Sequence, residues 1–367
     1  MYIKSLKLQN FRNYADESFA FDPAVNLICG ENGQGKTNLL EAAAACSTMR
    51  LFRTAQKKEG LRFGENHAFI FADFLAQERD ISLELRFSRT KAMEIYKNGV
   101  RQKRQSDAQG LLKTVLFCPE DLMLVRAGAA ARRRFLDTAL CQMRPNYARY
   151  LEEYNRLHEH KTRILRDSEE YPSLLDTLPE FDLRMAQSGA VIIYYRARFC
   201  ERLKEYAGIA HRECSGGREE LGVEYQTVST ISDPLAPIET IYDQLRAHQA
   251  SHAAAERASR MCLSGPHKDD IAVTIGGVNA RQFSSQGQTR TAALAFKLAE
   301  REIYREITSR TPLLLLDDVL SELDPKRQEY VLNRISGGQV FITCCEEDRL
   351  GTLLSGKVFH ISQGAVV

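Results

Sequence analysis

The sequence predicts an α/β protein in which strands from both ends of the chain form a mixed sheet, with a helical lobe inserted between them. A strand-like run, 25–29, leads through a Gly-rich loop, 30–37, into a helix-like run. A second run, 313–316, is continuously apolar and ends in two aspartates. Such apolar runs are typical of parallel strands that are covered on both faces. Between these two regions, the pattern of apolar residues becomes helical from about residue 119.

Residues 30–37 form the most specific motif of the chain. They read Gly-Glu-Asn-Gly-Gln-Gly-Lys-Thr and match the complete phosphate-binding pattern GxxxxGK[ST]. Glycines allow backbone N–H groups to turn towards phosphate oxygens, and the N-terminus of the following helix favours negative charge. Lys36 is expected to reach the β- and γ-phosphates, and Thr37 to ligate Mg²⁺. A Gly-rich turn that matches by chance is the alternative, but the flanking strand and helix favour binding of ATP and Mg²⁺.

Two adjacent carboxylates follow the apolar run near the C-terminus. Asp317 is expected to hold Mg²⁺ through water, and Asp318 to polarise the attacking water. The alternative is a strand followed by an acidic turn. Two more motifs flank this apolar run. Residues 285–288, Ser-Gln-Gly-Gln, precede it, and residues 321–324, Ser-Glu-Leu-Asp, follow it.

The order of these four motifs resembles that of the ABC-type ATPases. In that class the signature loop caps the γ-phosphate bound by the other subunit, so that two heads enclose two ATP molecules. Ser285 offers a hydroxyl group, Gly287 permits close backbone approach, and the following helix directs its positive end at the phosphate. The resemblance implies a signature motif acting in trans, Ser285, Gln286, Gly287 and Gln288, and a D-loop containing Ser321 and Asp324.

Further segments resemble the RecF family among the RecF-like and SMC-like ATPases. They are MYIKSLKLQNFRNY at 1–14, FCPEDL at 117–122, RRRFLD at 132–137 and GPHKDD at 265–270. The resemblance runs to near residue 345 and implies catalytic roles for Lys36 and Asp318 and Mg²⁺ ligation by Thr37 and Asp317. The implied ATP-binding residues are Arg12, Asn13, Gly30, Glu31, Asn32, Gly33, Gln34, Gly35, Lys36, Thr37 and Asn38.

Members of this family are DNA-binding ATPases of recombinational repair. The resemblance implies an ATP-dependent homodimer that closes on DNA at gap junctions between ssDNA and dsDNA, and slow, DNA-stimulated hydrolysis that releases it. It also implies recombinase loading, replication restart and SOS induction, with RecR and RecO as partners. Two alternatives stay open: an ATP-clamped DNA-binding scaffold without functional turnover, and an SMC-like or nuclease-coupled ABC head.

Two departures from the ABC pattern concern the chemistry. Asp318 stands where Glu is usual, and Thr343 or Cys344 stands where a switch His is usual. Because Asp is one methylene shorter than Glu, slow hydrolysis is expected.

Composition narrows the class of protein. Of 367 residues, 44% are hydrophobic, which suffices for more than one core. No run approaches the ~20 apolar residues of a membrane span, so no membrane partner is expected, and no signal-peptide pattern opens the chain. The nine cysteines show no Cys-x-x-Cys pair, although Cys344 and Cys345 are adjacent. Scattered thiols are typical of reduced cytoplasmic proteins, so a cytoplasmic location is expected.

The expected layout is an ATPase lobe from residues 1–118 and 262–367 with a helical lobe, 119–261, inserted. An Asn-Gly pair at 98–99 predicts a hairpin, and no sustained heptad pattern predicts a long coiled coil. Expected strands cover 1–9, 17–29, 67–75, 80–87, 271–275, 278–281 and 340–343, and an expected helix covers 36–48. A stripe at helical spacing is expected in the core: Tyr147, Tyr150, Leu151, Tyr154, Leu157, Ile164 and Leu165. Short elements are expected to be separated by Gly208, Gly216, Gly217, Pro234 and Pro237.

Basic segments are the candidates for DNA contact. The net charge of +2 requires any such site to be a local patch. Residues 86–104 are locally cationic and could follow phosphates, although a solvated charged hairpin explains them equally well. The candidate contacts there are Arg89, Lys91, Lys97, Arg101, Lys103 and Arg104.

Two other charged segments have structural interpretations. The run 132–134, three arginines, falls in the first turn of an expected helix, where cations are unfavourable. It therefore indicates an anionic partner or a neighbouring carboxylate, with structural ion pairing preferred over DNA contact. His267 lies beside Asp269 and Asp270, but one His with two acids is weak evidence for a metal.

Overall fold

The computed structural model describes residues 1–54, 56–345 and 356–367, which divide into two units. Unit 1 comprises Met1–Met123 and Arg290–Val367, and unit 2 comprises Leu124–Thr289. The sequence placed the divisions at 118/119 and 261/262. The structural boundaries lie C-terminal of both positions, so the segment from 262 to 289 belongs to unit 2.

A largely parallel sheet in unit 1 carries the predicted nucleotide motifs. Its strands are β3 (Val25–Cys29), β8 (Thr114–Phe117), β12 (Leu313–Leu316), β13 (Val340–Cys344), β14 (Lys357–Ser362) and β15 (Ala365–Val366). They lie in the order β15-β14-β3-β13-β12-β8, and only the β14–β15 pair is antiparallel. Because β13 lies between β3 and β12, the carboxyl ends of these three parallel strands are adjacent, and loops that follow them share one edge.

The second sheet of unit 1 is antiparallel. Its strands are β1 (Tyr2–Phe11), β2 (Tyr14–Ala20), β4 (His67–Ala76), β5 (Arg79–Ser88), β6 (Glu94–Lys97) and β7 (Val100–Arg101), in the order β2-β1-β4-β5-β6-β7. Asn98 and Gly99 both have positive φ, 49° and 76°, so the predicted hairpin turn is confirmed. The single strand predicted over 17–29 is wrong. Pro23 lacks a backbone donor, and Asp22 accepts a hydrogen bond from the Ala24 N–H at 2.7 Å, which turns the chain between β2 and β3.

The described part of this unit also contains α-helices. They are α1 (Lys36–Thr48), α7 (Gln286–Thr308) and α8 (Pro325–Leu332), and the boundary at 289/290 falls within α7. The predicted helix over 36–48 is confirmed. In α7, Leu294, Leu298 and Ile303 are buried, which is typical of one apolar face of a helix.

Unit 2 is mainly helical. Its elements are α2 (Ala129–Met143), α3 (Pro145–Asp167), α4 (Leu178–Ser215), β9 (Leu221–Gln226), α5 (Ile238–Ser259), β10 (Asp270–Ile275), β11 (Val278–Asn279) and α6 (Ala280–Phe283), with the three strands in the order β11-β10-β9. Tyr147 and Tyr154 are buried as predicted, whereas Tyr150 is exposed.

Two expectations for unit 2 are wrong. Gly208 does not separate short elements but lies inside the 38-residue α4, where helix packing outweighs its low propensity. The strand predicted over 278–281 ends at Asn279, because the Asn279 side chain accepts a hydrogen bond from the Arg281 N–H and begins α6. No helix in the described part of the chain has both the length and the apolarity to cross a bilayer.

Candidate functional site

The Gly-rich loop connects β3 directly to α1. Gly30, Gly33 and Gly35 have φ values of 149°, 82° and 123°, a backbone conformation that residues other than glycine rarely adopt. A Cβ at Gly30 would lie 2.3 Å from the carbonyl oxygen of Ile361, and one at Gly35 would lie 2.7 Å from Asn13 Nδ2. Conformation and space therefore both require glycine at these two positions.

Neighbouring segments brace the loop through its carbonyl groups. Asn13 Nδ2 donates to the Gln34 carbonyl at 2.7 Å, and the Tyr14 hydroxyl donates to the Gly35 carbonyl at 3.0 Å. Asn38 Nδ2 in turn donates to Asn13 Oδ1 at 2.8 Å. The carbonyls of Gln34 and Gly35 thus accept hydrogen bonds from neighbouring segments. The backbone N–H groups of the loop are the donors expected to bind phosphate.

Arg12 contacts the helix that follows the loop. Its Nε and Nη2 atoms donate to the two carboxylate oxygens of Glu41 at 2.7 Å and 3.1 Å, and Glu41 is fully buried. This bidentate pair fixes the end of β1 against α1. The exposed Arg53, which no sequence pattern singled out, donates to Asn38 Oδ1 at 3.2 Å and adds a cation beside the same helix.

Lys36 is the cation within the loop. Its side chain is buried, and Nζ donates to the carbonyl oxygens of Gly30 at 2.6 Å and Glu31 at 3.1 Å. The third neighbour of Nζ is Cys345 Sγ at 3.6 Å. The ammonium group is therefore held at the mouth of the loop, as a phosphate-binding lysine requires.

Hard oxygen donors converge next to this lysine. The Thr37 hydroxyl donates to Asp317 Oδ1 at 2.9 Å, and the Thr343 hydroxyl donates to the same oxygen at 3.1 Å. Burial raises the pKa of Asp317 to about 6, and the nearby Asp318 adds to the shift. A hydroxyl and a carboxylate at hydrogen-bond distance are the donor types that Mg²⁺ prefers, so these residues fit the predicted metal.

Asp318 has an unusual backbone conformation. Its φ of 49° and ψ of 8° place it in the left-handed region, and its side chain is half-buried. Its N–H donates to Thr343 Oγ1 at 2.7 Å. The single hydroxyl of Thr343 thus contacts both the predicted metal ligand Asp317 and the predicted catalytic residue Asp318. Its only sequence signal was its position at a strand end, where a switch His is usual.

The predicted signature residues begin α7. The Ser285 N–H donates to Gln288 Oε1 at 2.7 Å, and the Gln288 N–H donates to Ser285 Oγ at 3.2 Å, a reciprocal capping box. Gln288 Nε2 also donates to Glu219 at 2.6 Å. Ser285 and Gln286 are exposed and Gly287 is half-buried, so solvent reaches this helix N-terminus.

The predicted D-loop residues stabilise local turns. The Ser321 hydroxyl donates to the Asp318 carbonyl at 2.6 Å, and Asp324 caps α8 by accepting the Arg327 N–H at 3.1 Å. Both residues are exposed. Ser321 therefore links the D-loop to the residue in the left-handed conformation.

The cationic hairpin is partly neutralised. Arg101 pairs with Glu94 at 2.8 Å, and Arg89 donates to the Glu65 carbonyl at 3.3 Å. Arg104 is exposed and begins a short turn. Within the described part of the chain, the ammonium groups of three residues make no ion pair: Lys91, Lys97 and Lys103.

The arginine run in α2 is mainly structural. Arg132 is buried and forms a bidentate ion pair with Asp270 at 2.6 Å and 2.7 Å. Arg133 donates to the Asp269 carbonyl at 2.6 Å. The predicted carboxylate neighbour is thus confirmed.

His267 belongs to a cluster with His158 and Cys262, whose possible ligand atoms lie within 4.8 Å of one another. Both ring nitrogens of His267 are already engaged, Nδ1 with the Tyr154 hydroxyl at 2.7 Å and Nε2 with the Cys262 carbonyl at 3.0 Å. Burial and then His158 lower the pKa of His267 to about 3, so the ring is neutral. These bonds indicate a packed structural cluster.

A P-loop, paired aspartates on a nearby parallel strand and an exposed signature helix define the class of ABC-type ATPase heads. The family of the RecF/RecN/SMC N terminal domain matches residues 2–361. DNA replication and repair protein RecF of Agathobacter rectalis is 37% identical over 370 residues, which cover 100% of this chain and 99% of the relative. The same protein of Symbiobacterium thermophilum is 36% identical over 371 residues, covering 100% and 98%.

Solved structures agree with this match. The recombination mediator protein RecF-ATP in the RecFOR pathway superimposes with a TM-score of 0.92 at 33% identity, covering 100% of this chain and 97% of that chain. An Smc head of Pyrococcus furiosus, at 15% identity and a TM-score of 0.54, shares the fold. The chain belongs to the RecF family.

Proposed function

We propose that this chain is an ATP-dependent DNA replication and repair protein whose ATP-bound homodimer closes on DNA. The observation that carries the proposal is the meeting of Lys36, Thr37 and the Asp317–Asp318 pair at one sheet edge in a RecF-family chain. The named relatives are replication and repair proteins, and one solved relative holds ATP. Both support the assignment.

The phosphate-binding loop binds the nucleotide, and the two aspartates take part in its hydrolysis. Backbone N–H groups and Lys36 bind the triphosphate, and Mg²⁺ held by Thr37 and Asp317 would neutralise charge on its oxygens. Asp318 orients and polarises the attacking water. Its backbone is anchored to Thr343 and Ser321, which would hold the residue in place for that role.

Slow turnover follows from the same residues. Asp318 reaches less far than a glutamate, and the hydroxyl of Thr343, the penultimate residue of β13, lies next to the two aspartates. A hydroxyl cannot carry a positive charge, so charge that develops on the γ-phosphate gains less stabilisation there than from a histidine. Hydrolysis then acts as a switch that reopens the dimer, and DNA would stimulate it.

The homodimer is proposed from the signature residues. Ser285 and Gly287 lie at an exposed helix N-terminus, and such a site favours a phosphate group. In the dimer each signature loop would cap the nucleotide of the partner subunit.

DNA would lie along cations such as Lys91, Lys97 and Lys103, and RecR and RecO are the partners proposed from family membership. Cytoplasmic location is part of the same proposal.

Complementation between two inactive variants tests the shared site. Ser285→Arg places a bulky cation against the nucleotide site of the partner subunit. It should abolish ATP-dependent dimers while the monomer still binds ATP. Lys36→Ala should bind ATP at least tenfold more weakly and therefore be inactive by itself. A mixture of the two variants can assemble one intact composite site, so partial ATPase activity should return. Sedimentation with ATP and with ADP reports the dimer.

Capping requires its own control, since Ser285 also caps α7. Ser285→Ala removes the cap, at about 1 kcal/mol, without adding bulk. Ser285→Arg should therefore weaken the dimer well beyond Ser285→Ala. Full dimerisation of Ser285→Arg, or no activity from the mixture, would refute the shared site.

A further inference from the structure

Three thiols lie at the sheet edge that carries the P-loop. Cys29 ends β3 and Cys344 ends β13, and the two residues are direct partners in the parallel register. Their Sγ atoms are 3.2 Å apart. Cys345, the next residue, has its Sγ 3.2 Å from Asn32 Oδ1 as well as close to Lys36.

This pair has the placement that a disulfide requires. Neighbouring strands are about 4.8 Å apart, within the usual Cα separation of disulfides, about 4.4–6.8 Å. The two sulfur atoms must approach by about 1 Å to reach a bond of about 2.05 Å. Cys29 is buried, Cys344 is half-buried and Cys345 is exposed, so small reagents approach from the side of Cys344.

We propose that Cys29 and Cys344 form an oxidation-sensitive dithiol that a peroxide converts into a disulfide between β3 and β13, and that this modification weakens nucleotide binding. The Cys344 sulfur gives up its proton as it attacks one oxygen of hydrogen peroxide, the O–O bond breaks, and Cys344 becomes a sulfenic acid. The hydroxide that leaves takes up the proton lost by Cys344 and becomes water. The Cys29 sulfur then attacks the sulfenic sulfur, and the hydroxyl group leaves with the Cys29 proton as a second water.

The link acts on the phosphate-binding loop because Cys29 directly precedes Gly30. The Gly30 carbonyl accepts a hydrogen bond from Lys36 at 2.6 Å, and Gly30 packs tightly against Ile361. Movement of Cys29 towards Cys344 therefore displaces the start of the loop and the Lys36 ammonium group that the loop carbonyls hold. On the other strand, Cys344 follows Thr343, which contacts Asp317 and Asp318.

This inference rests on the proposed function only in naming ATP as the ligand that is lost. We expect oxidised protein to bind ATP about tenfold more weakly, as for one misplaced charge-assisted contact. A reductant should restore the affinity. The disulfide itself forms whether or not the protein hydrolyses ATP.

The experiment uses the full chain, first reduced, then treated with hydrogen peroxide and alkylated. Peptide mapping by mass spectrometry without reduction should find the peptides of Cys29 and Cys344 linked. ATP affinity is measured before oxidation, after it, and after dithiothreitol. Cys29→Ser and Cys344→Ser should lose the link and keep their ATP affinity in peroxide. Cys214→Ser, a half-buried control in unit 2, should behave as the parent protein does.

Cys345→Ser separates the pair from its exposed neighbour. The proposal expects this variant to form the link and to lose affinity reversibly. Protection by Cys345→Ser but not by Cys29→Ser would overturn the proposal, as would absence of the linked peptides in the parent. Failure of the reduced parent to bind ATP would instead refute the proposed function, and the peptide map would still report on the dithiol.

Discussion

Asp317→Asn should make the protein more stable while removing its function. Asp317 lies at the end of β12, where Thr37 and Thr343 donate to one carboxylate oxygen. An amide oxygen can accept the same two hydrogen bonds and carries no charge to desolvate. Metal-free protein is therefore expected to fold more favourably with Asn at this position, although the amide is a poor Mg²⁺ ligand.

The shift in the pKa of Asp317 determines how much stability Asp317→Asn should add. Burial raises the pKa of Asp317 from 3.8 to about 6, a shift of about two units. Each unit corresponds to about 1.4 kcal/mol, so the ionised carboxylate costs the folded state up to about 3 kcal/mol at neutral pH. The folded protein holds this proton more tightly than the unfolded chain does. The carboxyl group therefore favours folding below pH 3.8, and that contribution is lost as the pH rises through about 6.

Urea unfolding in a chelator measures this difference. At pH 7.5, Asp317→Asn should exceed the parent by up to about 3 kcal/mol, and at pH 5 about half of the difference should vanish. Magnesium and ATP at about 100 times the dissociation constant should stabilise the parent by about 2.7 kcal/mol and the variant little. Ligand thus removes most of the variant's advantage.

Asp243→Asn, an exposed change on α5, is the control and should stay within about 0.5 kcal/mol of the parent at both pH values. A variant at Asp317 that is no more stable than the parent at pH 7.5 would refute the reasoning. A stability difference that does not change with pH would refute it too, because the carboxyl group would then not be the cause.

The remaining predictions concern nucleotide and turnover. Lys36→Ala should weaken ATP binding at least tenfold, since a charge-assisted phosphate contact is worth about 1.5–3 kcal/mol; unchanged affinity in calorimetry would contradict the loop assignment. Asp318→Asn should bind ATP and accumulate as closed dimer while hydrolysis falls about 10²–10⁴-fold, and normal hydrolysis would exclude Asp318 as the base. Thr343→Val removes the hydroxyl that contacts both carboxylate residues, so steady-state hydrolysis should fall about 10–100-fold with little change in ATP affinity. Parent-like turnover of this variant would exclude a positioning role.

Local patterns in the sequence were enough to predict the phosphate-binding loop and its flanks. The glycines and the Lys36-Thr37 pair of this loop follow from backbone conformation and phosphate chemistry, which are local requirements. Contact with Ile361 and Asn13 adds a requirement for glycine at Gly30 and Gly35 that the local sequence does not show. The apolar run of β12 and the spacing in α7 were equally readable, since burial of a strand or a helix face leaves a periodic signal. The capping box at Ser285 and Gln288 is local as well, and it satisfies helix N–H groups whatever else the loop binds.

Other features depended on which strands became neighbours. Nothing near Thr343 in the sequence shows that β13 lies between β3 and β12, yet that order places its hydroxyl on Asp317. The same order pairs Cys344 with Cys29. Arg12 pairs with Glu41 because β1 ends against α1, a contact between segments that no local pattern connects.

Gly208 is a residue whose local preference led to a wrong prediction. Its local preference argues against a helix, but burial of the apolar residues of α4 on both sides of it outweighs a cost of about 1 kcal/mol. Local chemistry, which acts through neighbouring residues, determined the motifs and their ligand. Long-range packing, which depends on strand order and on the burial of whole faces, decided which side chains meet those motifs.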